Sequence, residues 1–296
     1  MKVLECVPNF SESSDERALS SIADALTSVK GVRLLDICRD SDHNRTVFTF
    51  IGDPGAVEKG AAAACDRALG VIDMCKHAGV HPRIGAVDVV PFVPISGLRM
   101  EEVVETAHQF GRAFAERNRI PVFFYGDAAL KPERKELSYI RRGGYEGLES
   151  KMGDPQWVPD AGPALFDPCK GATAVGAREP LIAYNINLKT NDLNIARKIA
   201  GEIRQSAGSG LRSVKAIGVP LKSRGLVQVS MNLTNYRETS IKKVFDVVTE
   251  KARQQGVEIF ESEIVGLVPA AAMKGITPGD LKLFHFTDSR IIESHL

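Results

Sequence analysis

The sequence predicts an α+β protein with two halves, on three observations. Residues 181–269 follow the order β-α-β-β-α-β, which defines a split βαβ, or ferredoxin-like, unit. Residues 3–126 alternate strand and helix patterns in a looser version of the same order. Between them, residues 127–178 are dense in proline and glycine and lack regular periodicity. We therefore predict two ferredoxin-like (split βαβ) subdomains, residues 1–178 and 179–296, with a long ordered connector between the two patterned halves.

Apolar periodicity assigns the individual elements. The predicted strands are residues 3–9, 32–37, 46–52, 87–95, 121–126, 181–188, 214–221, 226–235 and 257–269, and the predicted helices are residues 14–28, 55–69, 101–114, 191–205 and 240–252. Ser13 or Ser14 is expected to cap the first helix, since a side-chain oxygen accepts from its unpaired amides. Prolines place the strand at residues 87–95 near an edge or a bulge.

Composition argues against several classes of protein. The chain has 296 residues, 44% hydrophobic and 25% charged, with a formal net charge of +1. Binding to nucleic acid through bulk charge is therefore not expected. The sequence lacks a signal-peptide pattern and any apolar stretch near the roughly 20 residues that span a bilayer, so no membrane partner is expected. Five cysteines, an odd number without tight pairing, indicate reduced thiols and a cytoplasmic location.

Polar residues alternate with apolar ones on two strands of the C-terminal half. One row comprises Gln228, Ser230, Asn232 and Thr234, and the other comprises Asn185 and Asn187. The first and third strands of a split βαβ unit are neighbours, so the rows are expected side by side on the face that the helices leave uncovered. That face is either solvated or lines a ligand site. Glu5 and Asn9 form a parallel feature in the N-terminal half, and two such faces turned toward each other would enclose a polar tunnel.

Residues 76–92, KHAGVHPRIGAVDVVPF, hold the strongest candidates for chemistry. His77 and His81 have a spacing that binds zinc when both lie on one helix. Gly79 lies between them, however, and Pro82 pushes His81 out of the helical region. Since no cysteine or carboxylate completes an evident ligand set, no metal is expected.

The run His81-Pro82-Arg83-x-Gly85 instead predicts a rigid functional loop. Proline fixes the backbone, glycine allows close approach of a ligand, and arginine offers a fork for a carboxylate. A histidine there is either a proton shuttle near neutral pH or a side chain hydrogen-bonded within a turn. His77 is interpreted as a helix C-terminal residue that interacts with the helix dipole.

Three further patterns carry weaker signals. Residues 40–46, DSDHNRT, either bind a metal or turn the chain, and a turn is the default for such clusters. Residues 171–180, GATAVGAREP, match a glycine-rich phosphate loop only loosely, because the flanking pattern is missing. The five cysteines have no nucleophile setting, and most are expected to be small buried apolar residues.

Nine segments spread along the chain carry a family resemblance. They are LECVPNFSES (4–13), DHNRT (42–46), IDMCKHAGVHPRIGAVDVVPF (72–92), PERKELSYIRRGGYEGL (132–148), WVPDAGP (157–163), GATAVGAR (171–178), LIAYNINL (181–188), VQVSMNLTNY (227–236) and SEIVGLVP (262–269). In this order they resemble the glutamate formimidoyltransferase family, which is the formiminotransferase part of the bifunctional formiminotransferase-cyclodeaminase.

The resemblance implies two ferredoxin-like subdomains with folate in a tunnel between them, usually in a homodimer. It implies transfer of the formimidoyl group from N-formimidoyl-L-glutamate to N5 of tetrahydrofolate, a late step of histidine degradation, with tetrahydrofolate as co-substrate and no metal. The family's catalytic histidine corresponds to His81. Its folate-binding segment corresponds to Gly162, Pro163, Ala164, Leu165, Phe166, Asp167, Pro168, Cys169, Lys170 and Gly171.

The implied substrates suggest further binding residues. The candidate clamps for carboxylates are Arg45, Arg83 and Arg178, and the candidate amides for positioning the pterin or the amidine are Asn9, Asn187 and Asn232. Ser13, Cys38 and Val80 depart from the family motifs, which usually carry Gly, a carboxylate and Glu there. Two alternatives stay open: formyl transfer between glutamate and tetrahydrofolate in the same site, and folate binding without transfer.

Overall fold

The computed structural model describes residues 2–40, 44–79, 82–221 and 224–296. The chain divides into two compact units, Met1–Arg178 and Glu179–Leu296. Each unit has its own sheet and its own apolar core. None of the helices in these described stretches is both long enough and apolar enough to cross a membrane.

The first unit is built on a seven-stranded mixed sheet. Its strands are β1 (Val3–Cys6), β2 (Asn9–Phe10), β3 (Val32–Asp40), β4 (Arg45–Gly52), β5 (Val87–Ser96), β6 (Val122–Gly126) and β7 (Thr173–Ala177). Both β1 and β2 pair with β4 and β5, so they act as one interrupted strand in the spatial order β3, β4, β1/β2, β5, β7, β6. Strand β7 runs parallel to β5 and β6, and the other pairs are antiparallel.

Three long helices of the first unit pack on one face of this sheet: α1 (Glu16–Thr27), α2 (Pro54–Val71) and α3 (Met100–Asn118). Their apolar stripes bury Phe48, Phe50 and Phe92 completely. The N-cap of α1 is Asp15 rather than the predicted Ser13 or Ser14. The Asp15 carboxylate accepts from the first free amides of the helix at 2.9 and 3.0 Å, whereas the Ser14 hydroxyl donates to Glu12.

Strand β5 is central, so its predicted place at an edge is wrong, although the predicted bulge is confirmed. It pairs with β1 and β2 on one side and with β7 on the other, and its register shifts against both β1 and β2. Pro91 is tolerated because it lies opposite the break between β1 and β2. There the Val7 amide donates to the Pro91 carbonyl at 3.2 Å. Pro91 acts only as an acceptor at this point, so its missing N–H breaks no hydrogen bond between the strands.

The predicted connector at residues 127–178 has two parts. Its last part forms strand β7, which lies between β5 and β6 in the sheet. This strand lies within residues 171–180, the loose match to a phosphate loop. The rest contains two short helices, α4 (Leu137–Ile140) and α5 (Leu148–Met152), and packs on the sheet face opposite the three long helices. Trp157 stacks on Tyr139 with ring centroids 4.9 Å apart, which helps to explain why this glycine-rich segment is ordered.

The second unit has the element order β-α-β-β-α-β, as its periodicity predicts. The elements are β8 (Ile182–Leu188), α6 (Leu193–Ile203), β9 (Val214–Leu221), β10 (Leu226–Leu233), α7 (Ile241–Gln254) and β11 (Ile259–Val265). The antiparallel sheet has the spatial order β11, β8, β10, β9. In the first unit, β5, β1/β2, β4 and β3 follow the same order, so the two units repeat one arrangement of strands.

Candidate functional site

A hydrogen-bonded group in the first unit surrounds Arg83, which follows the predicted catalytic histidine by two positions. Arg83 is 7% exposed. Its Nε donates to His77 Nδ1 at 3.0 Å, and its Nη2 lies 2.7 Å from a Glu146 carboxylate oxygen. The guanidinium also lies over the Tyr145 ring, 5.7 Å from the centroid. Arg83 is therefore held from several directions, which fixes the backbone that follows Pro82.

The same group fixes the tautomer of His77. A guanidinium only donates, so His77 Nδ1 must accept from Arg83 and Nε2 carries the proton. His77 Nε2 then donates to the Asn44 carbonyl at 3.0 Å, and the Asn44 side chain donates to the Ala78 carbonyl at 2.9 Å. The interpretation of His77 as a helix C-terminal residue is wrong, since α2 already ends at Val71.

Two glycines, Gly85 and Gly171, allow the backbone of the connector to approach the segment that follows Arg83 closely. A Cβ on Gly85 would lie 2.3 Å from the Ala172 carbonyl oxygen, and a Cβ on Gly171 would lie 2.2 Å from the Ile84 carbonyl oxygen. Gly171 also has a φ of 71°, which favours glycine. The sequence analysis expected Gly85 to admit a ligand, but here it admits the backbone of the connector.

A buried ion pair lies next to this segment. Asp88 is 1% exposed, accepts from the Ile84 amide at 2.9 Å and pairs with Arg141 at the end of α4. Arg141 Nε is buried without a hydrogen-bond partner among the described residues. A guanidinium that already pairs with one carboxylate can still donate its remaining N–H group to a second anion, because its planar fork of donors matches a carboxylate.

Further cationic groups lie close to Arg141. Burial and the Arg141 guanidinium lower the pKa of Arg45, while Asp88 and Asp40 act in the opposite direction. Burial raises the pKa of Tyr125, and nearby Arg178 and Arg141 oppose that shift. Arg141 therefore acts on Arg45, and both Arg141 and Arg178 act on Tyr125. We call Arg45, Arg141 and Arg178 the arginine cluster, and it includes two of the three predicted clamps.

The predicted folate segment, residues 162–171, forms an exposed loop with fixed ends. Gly162 has a φ of 81° and comes so close to the Ile120 carbonyl that a Cβ would lie 2.1 Å from its oxygen. Asp167 accepts from the Cys169 amide at 2.8 Å and thereby closes a turn. Leu165 is 70% exposed, whereas Phe166 packs beside Tyr145 with ring centroids 5.7 Å apart. The tip of the loop therefore exposes apolar surface.

Several predicted residues do not join these groups. His81 lies outside the described residues, as do Val80 and residues 41–43. The Asn9 side chain donates to the Val7 carbonyl at 2.9 Å and so closes its own turn. The expectation that most cysteines are buried is wrong, because Cys6 and Cys65 are buried but Cys38, Cys75 and Cys169 are exposed.

The second unit carries a row of buried amides on the face opposite its helices. Asn187 is fully buried, and Asn185 and Gln228 are almost so. Gln228 donates to Asn187 at 2.9 Å and to Glu263 at 3.0 Å. Asn187 and Asn185 donate at 3.0 Å to Glu261 and Glu263 respectively. The row therefore ends in two carboxylates, and Glu261 also pairs with Arg224 at 2.6 Å. A carboxylate accepts several hydrogen bonds, so both can still accept from N–H donors.

Pairing of β8 with β10 assembles this amide row, as the alternation predicts. The register places Gln228 opposite Asn187 and Ser230 opposite Asn185. Asn232 is exposed and lies outside the buried row. Glu261 and Glu263 were not predicted as site residues, although they lie two positions apart on β11, where that strand pairs with β8.

These features define an α+β protein with a buried arginine–aspartate pair in one unit and a buried row of amides in the other. Residues 3–178 match the family model "Formiminotransferase domain, N-terminal subdomain", and residues 183–278 match "Formiminotransferase domain". The chain therefore belongs to the formiminotransferase family, as the sequence resemblance predicts.

Relatives in three organisms agree with this assignment. The chain is 42% identical to the glutamate formimidoyltransferase of Streptococcus pyogenes serotype M1, over 100% of this chain and 99% of that protein. It is 43% identical to the glutamate formimidoyltransferase of Thermoplasma acidophilum, over 99% of this chain and 97% of that protein. It is 42% identical to the formimidoyltransferase-cyclodeaminase of Mus musculus, over 92% of this chain and 51% of that protein.

Proposed function

We propose that this protein transfers the formimidoyl group from N-formimidoyl-L-glutamate to N5 of tetrahydrofolate, giving 5-formimidoyltetrahydrofolate and L-glutamate. The observation that carries the proposal is the 42% identity, over the full chain, with a protein named for this reaction. The proposal includes the use of this reaction in histidine degradation, in the cytoplasm, by a homodimer without a metal cofactor. It also includes two ferredoxin-like subdomains, 1–178 and 179–296, with folate in a tunnel between them. The repeated strand order supports the likeness of the two subdomains.

His81 is the proposed acid and base of the reaction. The support is the position of His81 in the motif that resembles the family's catalytic motif, together with Arg83, which is held by His77 and Glu146. A proton-transfer group must come within hydrogen-bond reach of its substrate. His77 and Arg83 are accordingly positioning residues in this proposal, and Arg83 is no longer the first choice for a carboxylate clamp.

The arginine cluster is the proposed site for the glutamate carboxylates. Arg141 has an unused, buried Nε–H next to its pair with Asp88. Arg45 and Arg178 lie close enough to contribute further charge. Arg141 therefore joins Arg45 and Arg178 as a clamp, because three guanidiniums can bind two carboxylates in fork geometry.

The amide row and the loop at residues 162–171 are the proposed contacts for folate. The pterin ring presents an amino group and a ring N–H on one edge, and Glu261 and Glu263 offer acceptors beside Asn187 and Gln228. The exposed Leu165 at the loop tip suits the flat faces of the folate rings. Asn187 is thus retained as a binding residue, whereas Asn9 and Asn232 lack such support.

The proposed chemistry is addition followed by elimination. N5 of tetrahydrofolate attacks the amidine carbon and forms a new C–N bond, giving a tetrahedral intermediate as N5 loses its proton to His81. The bond from that carbon to the glutamate nitrogen then breaks, and His81 returns the proton to the departing nitrogen. Such an acid–base group contributes about 10² to 10⁴-fold, and binding both substrates together contributes further through proximity.

The direct test measures 5-formimidoyltetrahydrofolate formed from formimidoylglutamate and tetrahydrofolate. We expect wild-type turnover, a loss of about 10² to 10⁴-fold in His81→Ala, and near wild-type turnover in His285→Ala, which changes an exposed histidine. Near wild-type activity of His81→Ala contradicts the role of His81. If the wild type accepts only N-formylglutamate, the reaction is formyl transfer. If it binds tetrahydrofolate and transfers neither group, the protein is a folate-binding protein.

A further inference from the structure

Two cysteines from distant parts of the chain meet at the surface of the first unit. Cys75 Sγ and Cys169 Sγ lie 3.7 Å apart, and both residues are exposed. A carboxylate oxygen of Asp73 completes a group of three ligand atoms that all lie within 4.8 Å of one another. The proposed proton transfers use none of these three side chains, although Cys169 lies in the loop proposed to contact folate, so the group calls for its own explanation.

Backbone hydrogen bonds join the two turns that carry these cysteines. Asp73 Oδ1 accepts from the Cys75 amide at 3.0 Å, and Asp167 Oδ1 accepts from the Cys169 amide at 2.8 Å, which closes a turn around each cysteine. The Met74 amide donates to the Cys169 carbonyl at 3.0 Å and joins the two turns. The two turns are therefore held next to each other, with the sulfurs 3.7 Å apart, before any ligand arrives.

This spacing fits a tetrahedral metal ion. Two thiolates, each about 2.3 Å from a tetrahedral Zn²⁺, lie about 3.8 Å apart, and the observed separation is 3.7 Å. Zinc also accepts a carboxylate oxygen beside thiolates. We propose that Cys75, Cys169 and Asp73 form a surface site for Zn²⁺, with water in the fourth position.

Charge and exposure are compatible with this ligand set. Each thiol releases one proton as its sulfur bonds to the ion, so one Zn²⁺ displaces two protons and no electron is transferred. Asp73 Oδ2 now lies 3.1 Å from Lys76 Nζ, but the Lys76 side chain is 85% exposed. An exposed pair of this kind contributes little, so the lysine can turn away at small cost. The bound ion fastens the loop at residues 162–171 to the turn that precedes His77.

The test titrates Zn²⁺ into the full chain after reduction with a phosphine and removal of chelator, and counts bound ions and released protons. We expect one ion and two protons per chain, with an affinity that falls about 100-fold in Cys75→Ser and in Cys169→Ser. Asp73→Asn should weaken binding about tenfold. Cys38→Ser, which changes another exposed cysteine, should bind like the wild type. Cd²⁺ should give thiolate charge-transfer absorbance with the same dependence on these residues.

Two results overturn the proposal. One is Zn²⁺ binding that survives both Cys75→Ser and Cys169→Ser in chains whose circular dichroism matches the wild type. The other is that the reduced wild type binds no Zn²⁺ at micromolar concentrations of the ion. This result counts against the proposal even if the unreduced protein carries a disulfide between these two cysteines. The measurement needs neither formimidoylglutamate nor tetrahydrofolate, so its failure and a failure of the proposed transfer reaction are distinguishable.

Discussion

At the residue scale, Lys151 is held in an unusual place for an ammonium group. Its Nζ lies 3.6 Å from the centroid of the Trp157 ring and donates to the carbonyls of Ile140 and Arg142 at 2.5 and 3.0 Å. Burial, with help from nearby Arg142 and Arg134, lowers the pKa of Lys151 to about 8. The side chain therefore loses its charge in the folded protein at a pH where an unfolded lysine still carries it.

Trp157 reports this titration, because it is the only tryptophan of the chain. We expect its fluorescence to change with a midpoint near pH 8 as Lys151 loses the proton beside the indole. Since the unfolded chain binds more protons between about pH 8 and the usual lysine pKa of about 10.4, Lys151 should also make the protein more stable as pH rises through that window. Lys151→Met should abolish the fluorescence midpoint. A midpoint that persists in this variant contradicts the assignment.

Arg141→Lys tests the arginine cluster. The substitution keeps a positive charge near Asp88 but removes the planar fork and the buried Nε–H. We expect KM for formimidoylglutamate to rise about tenfold or more, the scale of one charge-assisted hydrogen bond. The control is Arg142→Lys, at an exposed neighbour that stacks on Tyr139, and it should leave KM unchanged. Equal effects of the two substitutions would place the carboxylate site elsewhere.

At this scale, sequence patterns show which residues are candidates for a site better than they show which residues those candidates contact. The motif around Arg83 is visible in the sequence, but Asp88 and Arg141 are separated by 53 positions and only the fold brings them together. The interpretation of His77 is wrong because it assigns the residue to a helix end, whereas periodicity predicts that the helix stops at residue 69 and α2 ends at Val71. The exposure of Cys75 and Cys169 likewise depends on how the connector folds back against residues 72–79. The spacing of the two cysteines in the sequence does not predict this fold.

At the element scale, the packing of strand β7 against β6 requires a glycine at position 176. A Cβ on Gly176 would lie 2.5 Å from two atoms of the Tyr125 ring and 2.7 Å from the Tyr125 carbonyl oxygen. Gly176→Ala should therefore lower the free energy of unfolding by about 1–3 kcal/mol, as overpacking does. Gly70→Ala, in α2, meets nothing within 4 Å and should be stabilising by up to about 1 kcal/mol. Urea unfolding of both variants checks the difference, and equal stabilities would contradict it.

The connector is fastened to β6 by a second buried ion pair. Arg134 and Asp160 have side chains 1% and 4% exposed, and Asp160 also accepts from the Phe124 amide at 2.8 Å. Arg134→Met leaves the carboxylate buried without its partner, so we expect a loss of about 3–5 kcal/mol in urea unfolding. Arg117→Met breaks a half-exposed pair with Asp66 and should cost about 1 kcal/mol or less. A similar cost for both would show that burial of the pair is unimportant.

Local alternation explains which elements the sequence could predict. Strand β10 has strict alternation, so its start at Leu226 and its apolar face follow from the pattern, although it ends at Leu233, two residues before the predicted end. Strand β7 is five residues long, contains a glycine and is buried on both faces, so no alternation distinguishes it from a loop. The prolines of β5 suggested an edge because the compensating break between β1 and β2 belongs to another part of the chain.

At the scale of the whole molecule, each unit encloses its own apolar core. The second unit closes a complete four-stranded sheet with two helices from residues of Glu179–Leu296 alone. We therefore expect the fragment 179–296 to fold by itself and to unfold cooperatively in urea, as small single domains do. A fragment without a cooperative transition would show that this unit depends on residues before 179.

The position of β7 also has a consequence for the order of events during synthesis. Strand β6 pairs in the sheet only with β7, among the described residues, and β7 follows it after residues 127–172. A ribosome adds about 5–20 residues per second, so a nascent β6 waits for seconds with an open edge. Such an edge is prone to intermolecular pairing. Nascent chains stalled before residue 173 should therefore aggregate or recruit chaperones more than chains stalled after β7 has emerged.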